Sequence, residues 1–280
     1  MVAEVSWATI TEDEMTLRYA FTNQKGGVGK TTTVVNLASV MADWGHRTLV
    51  VDIDPQCNAT TSLGLDSRSL DRSIYDVLLG QVSPLDAICT TRWSGLDVLP
   101  SIAGLAGVTV ELNAEPARQR AAHLYNVLSL IEGYDYILID SPPSLGVLTV
   151  NALVACHGVV VPVQCEYLAL EGLTQLTRTI SLVQRGLNRG LSLRGVVMTM
   201  FDRRTTLSNQ VVDEVRRYFP KRVFSTVIPR SVRLSEAPSY GEPGVLYAPR
   251  SQGARAYLAL ARELLLGDGY SVAWEPGMAA

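Results

Sequence analysis

The chain has 280 residues, of which 47% are hydrophobic, and a formal net charge of −3 at pH 7. This length suits one large α/β domain with a substantial core, or two small domains, and no linker-like composition divides the chain. No apolar run reaches transmembrane length, the acidic start does not resemble a signal peptide, and the four cysteines lack C-x-x-C spacing, so we expect a cytoplasmic protein without a metal cluster.

The chain is predicted to consist of one domain between two tails. Residues 1–16 carry four carboxylates and no clear hydrophobic period, which predicts a flexible acidic tail. Residues 17–268 alternate between short aliphatic runs and helical segments, as expected of a single domain. Residues 269–280 contain glycine and proline and are predicted to form a second flexible tail.

A glycine-rich loop stands between the first predicted strand, residues 17–22, and the first predicted helix, residues 31–44. Strand, glycine loop and helix in this order are typical of a phosphate-binding loop. Without a Cβ the backbone wraps closely around an anion, and the helix N-terminus adds partial positive charge. The standard motif would have Gly at Gln24, whereas this chain has Lys25 beside its first glycine.

Two side chains of this loop predict the nucleotide chemistry. Lys30 supplies a full positive charge for the β- and γ-phosphates, and the Thr31 hydroxyl suits Mg²⁺. The residues predicted to contact the nucleotide are Lys25, Gly26, Gly27, Val28, Gly29, Lys30, Thr31 and Thr32.

The remaining elements indicate a mostly parallel twisted sheet with helices on both faces, the α/β architecture of P-loop NTPases. Aliphatic runs without polar alternation are typical of buried parallel strands. Further strands are predicted at residues 47–54, 96–99, 134–140, 158–163, 193–200 and 223–228. Helices are predicted at residues 73–79, 116–132, 147–155, 168–187, 207–219 and 254–266.

Three carboxylates fall where predicted strands end, which is where ligands bind in such sheets. Asp140 ends an apolar strand and, with Thr31, is the predicted Mg²⁺ site. Asp52 and Asp54 lie two residues apart, and either could approach Mg²⁺ through water while the other positions the attacking water. A purely structural role for Asp52 is an equally good interpretation.

The charge is distributed unevenly along the chain. A net charge of −3 alone argues against a nucleic-acid partner, but residues 178–255 contain 14 basic and 5 acidic residues. The rest of the chain contains 10 basic and 22 acidic residues. Such asymmetry indicates a localised surface for a polyanion, and a solvated basic face without a partner is the alternative.

Six motifs together resemble the deviant Walker A ATPases, specifically the ParA/Soj group of chromosome and plasmid partition proteins. K-G-G-V-G-K-T-T, V-D-I-D-P-Q and I-D-S-P-P-S are typical of the superfamily. The segments at residues 162–172, 199–205 and 227–241 are more specific to the ParA/Soj group. The resemblance covers nearly the whole chain and implies a Mg²⁺-dependent ATP hydrolase.

The resemblance also implies roles for individual residues. Lys25 matches the signature lysine that reaches the partner's phosphates in an ATP-dependent homodimer, and Asp54 matches the residue that orients the hydrolytic water. Thr31 and Asp140 match the Mg²⁺ site. The predicted catalytic residues are Lys25, Lys30 and Asp54.

Two departures from the family pattern accompany these matches. Pro229 and Arg230 fall in the segment that contacts adenine and ribose, but Ser231 replaces the usual Asn after the arginine. Cys57 replaces the glycine of the usual D-P-Q-G motif, in a loop that responds to nucleotide.

Family members of this kind bind double-stranded DNA without sequence preference, and a ParB/Spo0J-like partner stimulates hydrolysis. The resemblance therefore implies a nucleoid-associated protein whose basic residues contact phosphates. The candidate DNA-binding residues are Arg233, Arg204, Arg217, Lys221, Arg222 and Arg250.

Two other classes share the scaffold. A membrane-surface positioning ATPase like MinD would need a basic amphipathic C-terminal helix, which the Gly- and Pro-containing end does not predict. A metabolic enzyme such as dethiobiotin synthetase, or a nitrogenase-type iron protein, is the other alternative. The iron protein would need paired cluster cysteines that this chain lacks.

Overall fold

A computed structural model describes residues 16–112 and 114–271, and its centre is one eight-stranded sheet. Buried Val, Ile and Leu fill both faces of the central strands, as the aliphatic runs predicted. The strands are β1 (Leu17–Phe21), β2 (Thr48–Asp52), β3 (Cys89–Thr90), β4 (Leu96–Leu99), β5 (Tyr136–Asp140), β6 (Gly158–Gln164), β7 (Ser192–Phe201) and β8 (Val223–Pro229).

The strand order is β3-β4-β2-β5-β1-β6-β7-β8, and every neighbouring pair is parallel except β3 with β4. Asp140 pairs in register with Phe21 on one side and Asp52 on the other. The ends of β2, β5 and β1 therefore meet at one edge of the sheet, here called the carboxyl edge. The opposite edge, where the parallel strands begin, is called the amino edge.

Helices cover both faces of the sheet, which confirms the expected α/β architecture. The α-helices are α1 (Lys30–Asp43), α2 (Asn58–Ser62), α3 (Ile74–Leu78), α4 (Pro84–Ala87), α5 (Val108–Leu112), α6 (Ala117–Arg120), α7 (His123–Leu128), α8 (Val147–Ala155), α9 (Ala169–Gly186), α10 (Thr206–Tyr218), α11 (Val232–Glu236), α12 (Gly244–Tyr247) and α13 (Gln252–Gly267). Two 3₁₀ helices cover Ala103–Gly107 and Ala237–Tyr240. None of the helices described is both long and apolar enough to cross a membrane.

The sheet separates two hydrophobic cores because successive strand residues point to opposite faces. In β5, Tyr136 and Leu138 pack into the core shared with α1 and α13. Ile137 and Ile139 of the same strand pack into the core shared with α7, α8 and α9. The alternation positions the strands rigidly between two helical layers, so the loops at the carboxyl edge are held by well-packed elements.

The single helix predicted at residues 116–132 is wrong, because the structure contains two short helices, α6 and α7. At the break, the buried Asn151 of α8 takes the place of a helical hydrogen bond. Its Nδ2 donates to the Arg120 carbonyl at 2.7 Å, and its Oδ1 accepts from the Leu124 amide at 3.1 Å. In a continuous helix those two backbone groups would bond to each other.

Two smaller differences concern strands. The predicted strand at residues 47–54 ends at Asp52, because Asp54 and Pro55 already belong to the following loop. The two-residue β3, antiparallel to β4 at the sheet's end, was not predicted. Two residues are too few to produce a periodic signal in the sequence.

The two predicted tails fall mostly outside the described residues, which exclude 1–15 and 272–280. At the N-terminal boundary the Thr16 hydroxyl donates to the Tyr134 carbonyl at 2.7 Å. Near the other end, the Tyr270 ring lies edge-on to His46 with 4.7 Å between centroids, and 5.9 Å from Tyr136. Tyr270 therefore packs against the domain.

Candidate functional site

The glycine-rich loop joins β1 to α1 at the carboxyl edge, as predicted. Gly27 and Gly29 have positive φ angles of 72° and 89°, which glycine adopts without the steric strain of a Cβ. Gly29 is the N-cap residue of α1, so the helix N-terminus points into the loop.

Hydrogen bonds to β6 and β7 hold the loop in place, and a bond from the residue after β5 holds the end of β1 that leads into it. The Thr199 hydroxyl of β7 donates to the Val28 carbonyl at 2.8 Å. Asn23 donates to the Pro162 carbonyl of β6 at 2.8 Å, and Ser141, just after β5, donates to the Phe21 carbonyl at 2.8 Å. These hydrogen bonds to the sheet therefore fix the conformation of the loop.

Lys30 lies buried inside this loop. Its ammonium donates to the Lys25 carbonyl at 3.2 Å. Burial lowers the pKa of Lys30, while the nearby charges of Asp140 and Asp54 act in the opposite direction. A buried ammonium surrounded by backbone amides is a strong site for phosphate oxygens.

Thr31 and Asp140 come together as the sequence predicted. The Thr31 hydroxyl donates to Asp140 Oδ2 at 2.7 Å, while Oδ1 of the same carboxylate is buried without a hydrogen-bond partner. Burial, followed by the charge of Asp52, raises the pKa of Asp140 well above its usual value. A hydroxyl and an unsatisfied buried carboxylate oxygen beside a phosphate loop fit Mg²⁺, which prefers few protein ligands plus water and phosphate.

The remaining carboxylates have different surroundings. Both oxygens of Asp52 accept protein hydrogen bonds, from the Thr60 amide and hydroxyl at 2.9 and 2.7 Å and from the Asp54 amide at 3.1 Å. Burial raises the pKa of Asp52 to about 6. Asp54 accepts from the Gln56 amide at 3.0 Å. This geometry favours a structural role for Asp52, which ties β2 to α2, and leaves Asp54 as the candidate for positioning water.

Within residues 16–112 and 114–271, no group of three or more His, Cys, Asp and Glu side chains could hold a metal ion by itself. A site of the Thr31–Asp140 kind is completed by phosphate and water, so it needs no such group. The described cysteines are all free thiols.

The Lys25 side chain lies against the end of the neighbouring strand β6. Its ammonium forms an ion pair with Glu166, just beyond β6, and about half of the Lys25 side chain is exposed. This part of the loop is therefore at the protein surface, where a second molecule could reach it.

Pro229 and Arg230, the predicted adenine-contacting residues, lie at the end of β8 on the same edge. Pro229 pairs with Phe201 of β7, and the Arg230 amide donates to the Phe201 carbonyl at 3.0 Å. Since β7 and β6 separate β8 from β1, these residues flank the phosphate loop from a distance of three strands. Their contact with a nucleobase remains a prediction.

The six candidate DNA-binding residues do not form one patch. Three of them, Arg204, Arg233 and Arg250, follow the ends of β7 and β8 at the carboxyl edge. The other three lie at the amino edge, with Arg217 in the last turn of α10 and Lys221 and Arg222 between α10 and β8. The 13 residues of α10 separate the two groups, which corresponds to roughly 20 Å.

Several of these cations already have partners. Arg204 pairs with Asp202, with Nη2 to Oδ2 at 2.7 Å, and Arg233 pairs with Glu236 at 2.9 Å. The Arg222 guanidinium donates to the Leu193 carbonyl at 2.9 Å. All six residues are exposed, which is compatible with a surface that binds a polyanion.

Comparison with known proteins identifies the family. A family model described as an AAA domain matches residues 18–193. The sporulation initiation inhibitor protein Soj of Bacillus subtilis is 53% identical over 246 residues, covering 88% of this chain and 96% of Soj. The chromosome partitioning protein ParA of Caulobacter vibrioides is 51% identical over 249 residues, covering 88% and 92%. The chain belongs to the ParA/Soj family.

A solved structure related to this ParA/Soj family member contains nucleotide and metal. It is named cobyrinic acid a,c-diamide synthase from Mycobacterium smegmatis, with a bound ATP analogue and magnesium. It is 40% identical, has a TM-score of 0.79, and covers 90% of this chain and 95% of its own. The likeness confirms the P-loop ATPase fold and agrees with the expected cofactors, ATP and Mg²⁺.

Three residues that shape this ParA/Soj site were not singled out from the sequence. Asn23 and Thr199 hold the loop, and Glu166 pairs with Lys25. Asn23 adjoins the motif and could have been noticed there. Thr199 and Glu166 become visible only once β6 and β7 are known to lie beside β1.

Proposed function

We propose that this ParA/Soj family member hydrolyses ATP with Mg²⁺ and, in its ATP state, dimerises and holds double-stranded DNA for partition. The observation that carries the ATPase is the buried Thr31–Asp140 pair with one unsatisfied carboxylate oxygen beside the Lys30 ammonium. Mg²⁺ bound there would neutralise phosphate charge during phosphoryl transfer.

The chain's own residues supply the other parts of the reaction. Lys30 and the loop amides bind and orient the phosphates, so that little reorganisation is needed during transfer. Asp54, buried just beyond the end of β2, holds the attacking water. Lys25, whose side chain is about half exposed, supplies a cation to the nucleotide of a second copy.

The Mg²⁺ site is tested by Asp140→Asn, which removes the charge and keeps the size of the side chain. We expect the Mg²⁺ concentration that gives half-maximal ATPase activity to rise about 10- to 100-fold, as when residues supporting a metal ligand are changed. Asp86→Asn, at an exposed position in α4, is the matched control and should behave as wild type. An unchanged Mg²⁺ dependence in Asp140→Asn would contradict the proposal.

DNA binding is proposed for the arginines at the carboxyl edge, Arg204, Arg233 and Arg250. This edge contains the nucleotide site, so a second chain arriving there would change which cations face the DNA. The cations of the amino edge lie about 20 Å away along α10 and have no such connection to nucleotide. A ParB/Spo0J-like partner would then stimulate hydrolysis and release the DNA.

The DNA test compares two matched double charge reversals, Arg233→Glu with Arg250→Glu, and Arg217→Glu with Lys221→Glu. We expect the first to abolish ATP-dependent retention on nonspecific duplex DNA. In the binding that remains without this dependence, the slope of log binding constant against log salt concentration should decrease in magnitude by about 2. The second should weaken retention without removing its dependence on ATP. Equal retention with ATP and ADP in wild type would refute the proposed coupling.

A further inference from the structure

Lys25 is held by its own chain. Its ammonium pairs with Glu166, and the two side chains are 52% and 28% exposed. Glu166 lies just beyond β6, the strand hydrogen-bonded to β1, so the pair crosses from the phosphate loop to the neighbouring strand end. No nucleotide is needed for this contact, because it joins two residues of one molecule.

The backbones on both sides of the pair are fixed. The Lys25 amide donates to Asn23 Oδ1 at 3.0 Å, and Asn23 is itself bonded to the Pro162 carbonyl. The Glu166 amide donates to Gln164 O at 2.9 Å, and the Glu166 carbonyl accepts from the Ala169 amide at 3.1 Å, which leads into α9. The freedom left to the pair is therefore in the two side chains.

We propose that Glu166 is a positioning residue that holds Lys25 against its own chain until the phosphates of a partner's nucleotide replace the carboxylate. The inference rests on the proposed function, in which Lys25 reaches a second copy. Lys25 cannot contact Glu166 closely and extend to a partner at the same time. Dimerisation therefore requires both copies to break this ion pair.

The competition favours ATP over ADP. The γ-phosphate adds negative charge and oxygens that accept hydrogen bonds from an ammonium, which compensates for the lost carboxylate. ADP offers less compensation for the same lost ion pair, so the ADP-bound dimer is the less stable of the two. A ligand shifts such an equilibrium only by its differential interaction with the two states, and Glu166 sets the free-energy cost that this interaction must exceed.

The size of the effect follows from the exposure of the pair. A surface ion pair changes an equilibrium by up to about fivefold, so two pairs in a dimer change it by up to about 25-fold. Glu166→Gln keeps the shape of the side chain and removes its charge. Because each dimer takes up two ATP molecules, we expect it to lower the ATP concentration at half-maximal dimerisation by up to about fivefold and to increase the dimer fraction with ADP.

The experiment measures dimer fraction against ATP and against ADP by sedimentation velocity. Glu171→Gln, in the exposed first turn of α9, is the matched control and should keep the wild-type midpoint. In a Lys25→Ala background, Glu166→Gln should have no effect, because there is no ammonium to release. Binding of a fluorescent ADP to the monomer verifies that each variant is folded.

Each outcome decides between the two levels of the proposal. A wild type that stays monomeric with ATP would overturn the proposed function and this inference together. An ATP-dependent dimer whose midpoint is unchanged or raised by Glu166→Gln would overturn the inference alone. The same holds if Glu166→Gln shifts the midpoint equally when Lys25 is absent, since Glu166 would then act on another group.

Discussion

At the scale of single residues, Cys57 is the clearest case of a residue in an unfavourable conformation. It has φ 56° and ψ 28° in the left-handed region, directly before α2, and its side chain is buried. The glycine that is usual at this position in the family adopts such angles without strain, whereas a Cβ costs about 1–2 kcal/mol. The Cys57 thiol donates a hydrogen bond to the Pro55 carbonyl. Cys57 lies three residues after Asp54, where the turn of the loop begins.

We predict that Cys57→Gly is more stable than Cys57→Ala by about 1 kcal/mol. Both variants lose the same thiol, so their difference isolates the effect of the Cβ in a left-handed backbone. In ordinary helical positions the order is reversed, with Ala more stable than Gly. Urea unfolding of the two variants measures the difference, and a more stable Ala variant would show that the backbone relaxes.

His157 is held neutral where β6 begins. Its Nδ1 accepts a hydrogen bond from the Arg18 amide at 3.1 Å. Burial, with a smaller contribution from the charge of Arg18, lowers the pKa of His157 from 6.5 to about 4. The unfolded chain therefore binds a proton between these pH values when the folded chain does not, and stability falls as the pH falls from 6.5 towards 4.

We predict that His157 alone lowers the free energy of unfolding by about 1–2 kcal/mol between pH 7 and pH 5. His157→Gln retains an acceptor for the Arg18 amide but has no proton to bind. Between pH 7 and pH 5 the free energy of unfolding of His157→Gln should therefore fall by about 1–2 kcal/mol less than that of wild type. The measurement is urea unfolding of both proteins at several pH values, and parallel pH profiles would contradict the assignment.

At the scale of elements, Asn151 separates α6 from α7. Its side chain bonds to two backbone groups that would otherwise belong to one helix, and it also donates to the Val147 carbonyl at 3.0 Å. The segment containing it, V-L-T-V-N-A-L-V-A, has the composition of an ordinary buried helix. The break in one helix is thus determined by a side chain on another.

We predict that Asn151→Ala destabilises the protein by about 2–4 kcal/mol, because the buried Leu124 amide loses its acceptor. Asn209→Ala is the control, since Asn209 bonds to a backbone carbonyl in the exposed first turn of α10. It should cost less than about 0.5 kcal/mol. Chemical denaturation compares the two, and equal losses would mean that Asn151 does not maintain the break.

The same contrast explains how much the sequence could predict. The loop, Thr31 and Asp140 were predictable because their chemistry requires a fixed spacing or a strand end. Seven of the eight strands were predictable because aliphatic runs are a local signal. The partners of Lys25 and Leu124 were not, because Glu166 and Asn151 approach them only through the arrangement of strands and helices.

At the scale of the whole molecule, Asp268 connects the end of α13 to the middle of the sheet. Its carboxylate accepts from Tyr19 of β1 at 2.7 Å, Tyr136 of β5 at 3.1 Å and Arg194 of β7 at 3.0 Å. The Asp268 side chain is 4% exposed. Burial raises the pKa of both tyrosines, so their hydroxyls stay protonated as donors.

We predict that Asp268→Ala destabilises the protein by about 3–5 kcal/mol, because it leaves the partly buried Arg194 charge without its carboxylate. Asp268→Asn keeps an acceptor for the tyrosines and should lose less. Asp213→Ala, on the exposed face of α10, should be close to wild type. The three unfolding curves give the comparison, and a loss below about 1 kcal/mol in Asp268→Ala would exclude this connection as a main stabilising contact.

The hydrogen bonds that tie the phosphate loop to β6 and β7, and the end of β1 to the residue after β5, have a thermodynamic consequence. The loop loses its conformational freedom when the chain folds, so an incoming nucleotide does not have to order it. Such a preorganised pocket binds without an extra entropic penalty and without a slow closing step. We therefore expect ordering of the loop not to limit the pace of the nucleotide cycle.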